Sequence, residues 1–120
     1  MEMSNDPLSM YLKELAGVQA LTNDEEIALF GQMHQHGKAD ERWEIAARRL
    51  IENRLHMVVS IAERYSSSGV PMLELVEEGN IGLMNAIISF AEAPEGEFTA
   101  YATTCVEDAI TKAIAKSKQK

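Results

Sequence analysis

The residues best suited to chemistry in this chain are three histidines and one cysteine. His34 and His36 stand two positions apart, a spacing that puts them on different faces of a helix, and His56 is remote from both. No pattern of cysteines or acids completes a set of metal ligands around them. Cys105 has no neighbouring histidine that could activate it as a nucleophile. The sequence therefore predicts no catalytic residue, no metal and no cofactor, and a protein that is not an enzyme.

Charge is distributed unevenly along the sequence. The formal net charge is −8, and no Lys or Arg occurs between Tyr65 and Thr111. That stretch contains eight acids: Glu74, Glu77, Glu78, Glu92, Glu95, Glu97, Glu107 and Asp108. Such a surface repels nucleic acid. We therefore expect the central stretch to face a protein partner and not a DNA backbone.

Length and composition indicate one folded domain. The 120 residues are 46% hydrophobic and 25% charged, and the single cysteine excludes an intramolecular disulfide. No signal peptide is visible, and no run approaches the roughly 20 apolar residues that cross a membrane. We expect a cytoplasmic protein that does not bind a membrane.

Apolar spacing predicts an all-α fold, a compact bundle of about five to six helices. Asp6-Pro7 marks the start of the first helix, and Thr22–Glu25 has the form of a capping box for the second. Apolar residues keep helical spacing from about Asp40 to Tyr65, which predicts one continuous third helix, the longest of the chain.

The second half of the sequence predicts three further helical stretches. Pro71 opens a helix that Gly79 is expected to interrupt, with a further stretch to about Phe90. Ala91–Glu97 reads as a loop, and Thr99 is the expected N-cap of a last helix over about residues 100–116.

The segment LELVEEGNIGLMNAIISF allows two interpretations. Its apolar residues can serve a core face, which leaves as exposed residues Glu74, Glu77, Glu78, Asn80 and Asn85. A charge run of this kind is usually a solvated helix face. The alternative is an acidic ridge that docks on a basic partner. Composition alone favours the solvated face.

Four separated motifs, in the same order, resemble the sigma-70 family, the promoter-recognition subunits of bacterial RNA polymerase. Asp6–Phe30 resembles region 1.2, and three further segments resemble region 2: Asn53–Tyr65, Glu77–Ile87 and Phe98–Ala115. The resemblance implies a region 2 bundle preceded by a region 1.2 helical pair. It divides the chain into region 1.2-like helices at 1–38, a region 2-like domain at 39–116 and a basic tail at 117–120.

The resemblance implies a docking surface and a partner. In this family the helix with the Glu-Gly-Asn motif docks on the basic coiled-coil clamp helices of the polymerase β′ subunit. The positions that match its contact residues are Glu74, Glu77, Glu78, Asn80 and Met84. Glu77 stands where the family usually has Gln, which adds charge and removes a hydrogen-bond donor. The implied partner is therefore the RNA polymerase core.

The resemblance is weaker in the part that melts promoter DNA. The family holds unpaired bases by aromatic stacking and phosphates by cations, and the loop Ala91–Glu97 has neither. The positions that depart from the family's pattern are Glu92, Glu95, Glu97, Thr104, Cys105, Glu107 and Asp108. The residues left for DNA contact are Tyr101, Phe98 and Lys112. Stacking contributes about 1–3 kcal/mol per base, so Tyr101 alone is not expected to compensate.

The sequence thus predicts a polymerase-binding adaptor or sigma competitor, with weak or absent recognition of the −10 promoter element. The first alternative is an active divergent sigma factor. A second sigma-like or regulatory polypeptide would then supply the −35 contact, since no counterpart of regions 3 and 4 is expected in these residues. The second alternative, of another class, is a helical interaction module or anti-sigma-type regulator that does not bind polymerase.

Overall fold

Six α-helices and one short 3₁₀ turn make up most of residues 7–118, the part of the chain that the computed structural model describes. In chain order they are α1 Pro7–Leu15, α2 Asn23–Gln35, α3 Glu41–Asn53, α4 Leu55–Glu63, the 3₁₀ turn Ser66–Ser68, α5 Met72–Glu92 and α6 Phe98–Ser117. No strand occurs in these residues. The all-α prediction is confirmed.

Short-range capping chemistry fixes the starts of α2 and α3. At α2 the Glu25 N–H donates to Thr22 Oγ1 at 3.1 Å, and the Thr22 N–H donates to Glu25 Oε1 at 2.8 Å, so the predicted capping box is confirmed. At α3 the Arg42 side chain and backbone N–H donate to the Asp40 carboxylate and lower the pKa of Asp40 to about 2. The predicted N-cap Asp6 lies outside the described residues.

The prediction of one continuous third helix is wrong, because the chain breaks at Arg54. Arg54 has φ −114° and ψ 6°, which ends α3 at Asn53 and lets α4 begin at Leu55. The break accompanies a polar cluster on α2: Arg54 Nη2 and Nε donate to Glu26 at 2.7 and 2.9 Å, and Asn53 Nδ2 donates to it at 3.2 Å. The Leu21 N–H donates to Asn53 Oδ1 at 2.8 Å. Contacts between such distant positions leave no trace in the apolar spacing.

The prediction that Gly79 interrupts a helix is also wrong. The helix α5 runs unbroken for 21 residues and is the longest of those described. Gly79 is buried, and a Cβ there would lie 2.7 Å from Val58 Cγ1 on α4. A Cβ at Gly82 would lie 2.7 Å from the Cys105 carbonyl oxygen on α6. The two glycines therefore allow close approach of neighbouring helices and do not end α5.

The start of α6 differs from the prediction as well. The helix begins at Phe98, its N-cap is Glu97, and no side chain caps it, so Thr99 is not the cap. Phe98 is only 6% exposed and packs edge-on against Phe30 and Phe90, with ring centroids 4.8 and 5.2 Å away. Burial of this ring draws the first turn of α6 inward. Since α5 extends through Glu92, the loop is shorter than predicted.

The core lies around α5, which packs on α6 and α4 and also contacts α2 and α3. The largest fully buried side chains are Leu50, Leu75, Leu83, Ile87, Ile110, Val58, Val76 and Val106. None of the described helices combines the length and apolar composition that crossing a bilayer requires. This arrangement holds α5 from several directions and leaves one stripe of it open to solvent.

Candidate functional site

One open stripe runs along α5, and it is acidic at one end and apolar at the other. We call it the α5 ridge: Glu74, Glu77, Ile81, Met84 and Ile88, spaced three or four positions apart and therefore on one helix face. Glu74 and Glu77 are exposed, Ile81 is 53% exposed and Met84 is 46% exposed. Exposed apolar residues in a contiguous patch mark interaction surfaces. The ridge therefore has the character of a protein-docking face.

Ile81 is a member of the ridge that the sequence interpretation missed. Its apolar side chain was assigned to the core together with its neighbours, yet more than half of it is exposed. The spacing Glu77, Ile81, Met84 is the signal that could have identified it, because residues four and three apart share a face. The apolar half of the stripe begins here.

Two residues of the predicted docking set do not lie fully open. Glu78 and Asn80 are half-buried. Asn80 Nδ2 donates to the Tyr11 hydroxyl of α1 at 3.2 Å, and Asn80 Oδ1 is buried and accepts no hydrogen bond from the described residues. The exposed members of the predicted set are therefore Glu74, Glu77 and Met84, with Asn80 beneath α1.

The acidic end of α5 faces the basic end of α6 across an open cleft of about 610 Å³. Glu74 and Glu78 line one side, and Lys112 and Lys116 line the other. No ion pair within 4 Å joins the two sides among the described residues. Lys112, a predicted DNA contact, thus shares a cleft with two members of the predicted docking set.

The two aromatic residues that were expected to keep a DNA contact differ in accessibility. Tyr101 is 39% exposed, and its ring lies 6.5 Å from that of Phe90, centroid to centroid. Phe98 is buried in the cluster of phenylalanine rings, and the Arg54 guanidinium lies 5.3 Å from its ring centre. Of the two aromatics in this set, Tyr101 is the one open to a base.

The positions that were predicted to depart from the family's DNA-melting pattern form an acidic or neutral surface. Exposed members are Glu92, Glu95, Glu97, Thr104 and Asp108, while Cys105 and Glu107 are half-buried. Glu107 Oε2 accepts from Arg64 Nη2 at 3.0 Å. Arg64 is the last cation before the cation-free stretch, so this pair neutralises the nearest positive charge along the chain. Gly96 in the loop has φ 77°, a backbone conformation that favours glycine over any other residue at this position.

The histidines do not come together. His34 Nδ1 lies 2.9 Å from the Ala91 carbonyl oxygen, and His36 Nδ1 lies 3.7 Å from Asp40 Oδ2. Within residues 7–118 no group of three or more candidate ligands is placed to hold a metal ion. The ring of His34 instead ties the end of α2 to the end of α5.

Comparison with known proteins gives two family matches and close relatives. Residues 50–120 match the family described as Sigma-70 region 2, and residues 6–36 match Sigma-70 factor, region 1.2. The RNA polymerase sigma factor SigA of Listeria monocytogenes and that of Listeria innocua are each 47% identical to this chain over 112 residues. The aligned part covers 92% of this chain and 28% of each relative, so the chain spans less than a third of their length.

Proposed function

The chain belongs to the sigma-70 family, and on that basis we propose that it docks on the β′ clamp helices of RNA polymerase and recognises the −10 element weakly or not at all. In this proposal it acts as a polymerase-binding adaptor or as a competitor of complete sigma factors. The relatives are RNA polymerase sigma factors by name, which supports polymerase as the partner.

The observation that carries the proposal is the α5 ridge. Glu74 and Glu77 are exposed on the same stripe as Met84, and α5 is held by the five other helices. A basic partner helix would meet a negative potential at one end of the stripe and apolar surface at the other. Because α5 is fixed by its neighbours, the ridge needs no rearrangement before it binds.

The acidic DNA-facing surface supports the second half of the proposal. Glu92, Glu95 and Glu97 are exposed in and beside the loop, and they would repel phosphates. Each lost stacking contact removes about 1–3 kcal/mol, and Tyr101 is the one exposed aromatic at the family's DNA positions. Arg64, the last cation before this part of the sequence, is paired with Glu107, which makes it less available to a phosphate.

A binding assay between the purified chain and bacterial core RNA polymerase tests this function. We expect a complex that a Glu74→Lys, Glu77→Lys double variant loses. The matched control is Glu14→Lys, Glu63→Lys, which changes the net charge equally at exposed acids outside the ridge and should retain binding. No detectable complex with the unsubstituted chain would refute the proposal.

Exposure of Tyr101 favours a second candidate, an active divergent sigma factor with a partner polypeptide supplying the −35 contact. In that case polymerase carrying this chain should open a promoter in a run-off transcription assay, and Tyr101→Ala should abolish the transcript. If the ridge and control variants bound polymerase equally, the ridge would not be the docking surface. If the unsubstituted chain formed no complex with polymerase, the third alternative, an interaction module that does not bind polymerase, would gain support instead.

A further inference from the structure

A groove between α3 and α5 lies directly beside the apolar half of the α5 ridge. Its volume is about 240 Å³, and its walls are almost entirely apolar: Trp43, Ala47, Ile51, Met84, Ile87 and Ile88. Trp43, Ile51 and Ile88 are half-buried, and Met84 is 46% exposed. None of the other described helices lines this groove. The volume is of the order of one large side chain, which is less than a drug-sized ligand requires.

The groove and the ridge form one continuous surface. Met84 belongs to both, and Ile88 at the end of the ridge lines the groove wall. Glu74 and Ile88 are 14 residues apart, which corresponds to about 21 Å along the helix axis. A partner helix lying on the acidic end would therefore reach the groove after about four turns.

The charges at the rim favour the same partner as the charges of the ridge. Glu44 and Glu52 lie at the groove with a single opposing cation, Arg48. A basic helix would therefore meet a net negative border here, as it does at Glu74 and Glu77. An acidic partner would be repelled at both places.

We propose that this groove receives one bulky apolar side chain of the basic partner helix that lies on the α5 ridge. The proposal rests on the proposed function and adds the contact that anchors the partner. Ridge charges attract and orient the partner in water, whereas a side chain in the groove leaves water completely. Binding energy at interfaces is concentrated in such desolvated central pockets, with polar surroundings that contribute less.

Ile88→Glu separates this anchor from simple charge attraction, because the two predict opposite results. A surface that acts by charge alone would bind a basic partner as tightly or more tightly after gaining an acid. A groove that holds an apolar side chain would lose affinity, and we expect a loss of at least about tenfold toward bacterial core RNA polymerase. Ile88→Ala, which removes wall contacts without adding charge, should lose less.

The matched control is Ile45→Glu, the same substitution at an isoleucine of α3 that is 50% exposed and does not line the groove. It should bind at least as well as the unsubstituted chain, and circular dichroism and thermal unfolding should show all three variants folded. Suppose that Ile88→Glu binds polymerase as tightly as the unsubstituted chain or more tightly, while the Glu74→Lys, Glu77→Lys variant loses affinity. The proposal that the groove receives an apolar side chain would then be wrong, and the proposed function would still hold. Failure of the unsubstituted chain to bind would overturn both.

Discussion

Glu26 is the one buried charged side chain among residues 7–118. Its hydrogen-bond donors offset the cost of removing the carboxylate from water. It is 6% exposed and receives two hydrogen bonds from Arg54 and one from Asn53. A buried carboxylate of this kind is stable only while its opposite charge and hydrogen bonds are present. The pair joins α2 to the junction of α3 and α4.

Glu26→Gln should lower the free energy of unfolding by about 2–4 kcal/mol, because it leaves the Arg54 guanidinium largely buried without its anion. Chemical denaturation with urea measures the change. The control is Arg64→Gln, which breaks the exposed Arg64–Glu107 pair and should cost no more than about 1 kcal/mol. Equal effects of the two substitutions would contradict the structural role assigned to Glu26.

Sequence reasoning succeeded at the residue scale where the partners are neighbours. The Thr22–Glu25 capping box was predicted because its donors and acceptors are three positions apart. The Glu26–Arg54 pair was not, because 28 positions separate the two residues and each looks like an ordinary surface charge in its own helix. The break at Arg54 accompanies that pair, and apolar spacing indicates neither.

At the scale of elements, the packing of α5 depends on two positions that are occupied by glycine and therefore have no side chain. Gly79 and Gly82 are buried where α5 meets α4 and α6. A Cβ at Gly82 would meet the Cys105 carbonyl oxygen and, at 2.8 Å, the Ala109 Cβ. Neither neighbour is the flexible end of a long side chain, so α5 and α6 would have to separate. Periodicity predicts most of the helices, but Gly79 is expected from the sequence to interrupt one, since composition does not distinguish a turn from a close helix contact.

Gly82→Ala should destabilise the protein by about 1–3 kcal/mol, because strain in the core outweighs the gain in helix propensity. The matched control is Gly31→Ala in α2, where a Cβ would meet nothing within 4 Å. That substitution should stabilise by about 0.5–1 kcal/mol. Thermal unfolding shows whether each substitution stabilises or destabilises the protein. Stabilisation by Gly82→Ala would contradict the close packing of α5 on α6.

At the scale of the whole molecule, the candidate site combines residues of one helix with residues that the fold brings together from distant parts of the chain. Glu74 and Glu77 are exposed on the ridge, as amphipathic spacing predicts. Met84 is exposed as well, although its apolar side chain suited the core face and only the family resemblance included it in the predicted set. The burial of Phe98 could not be predicted in the same way, because its place depends on Phe30 from the other half of the chain. The groove beside Met84 could not be predicted from the sequence either, because its walls come from two separate helices, α3 and α5.

Replacing the three acids near the loop should create affinity for single-stranded DNA. The variant Glu92→Lys, Glu95→Lys, Glu97→Lys is expected to bind a −10-type oligonucleotide in a fluorescence anisotropy assay at low salt, whereas the unsubstituted chain should not. If all three lysines contact phosphates, the slope of log affinity against log salt for this variant should be about −2. The control with Glu14, Glu41 and Glu63 each changed to Lys has the same net charge, and equal binding by it would show a non-specific charge effect.

The glycine contacts that hold α5 against its neighbours also have a kinetic consequence. A helix clamped this closely cannot rotate about its axis, so the acidic stripe points in one direction before any partner arrives. Association with a basic helix then needs no slow conformational step, and its rate constant depends on long-range attraction that salt screens. Dissociation depends mainly on apolar contacts at the other end of the stripe, which salt affects little. Rising ionic strength should therefore slow the arrival of the partner while leaving its residence time nearly constant.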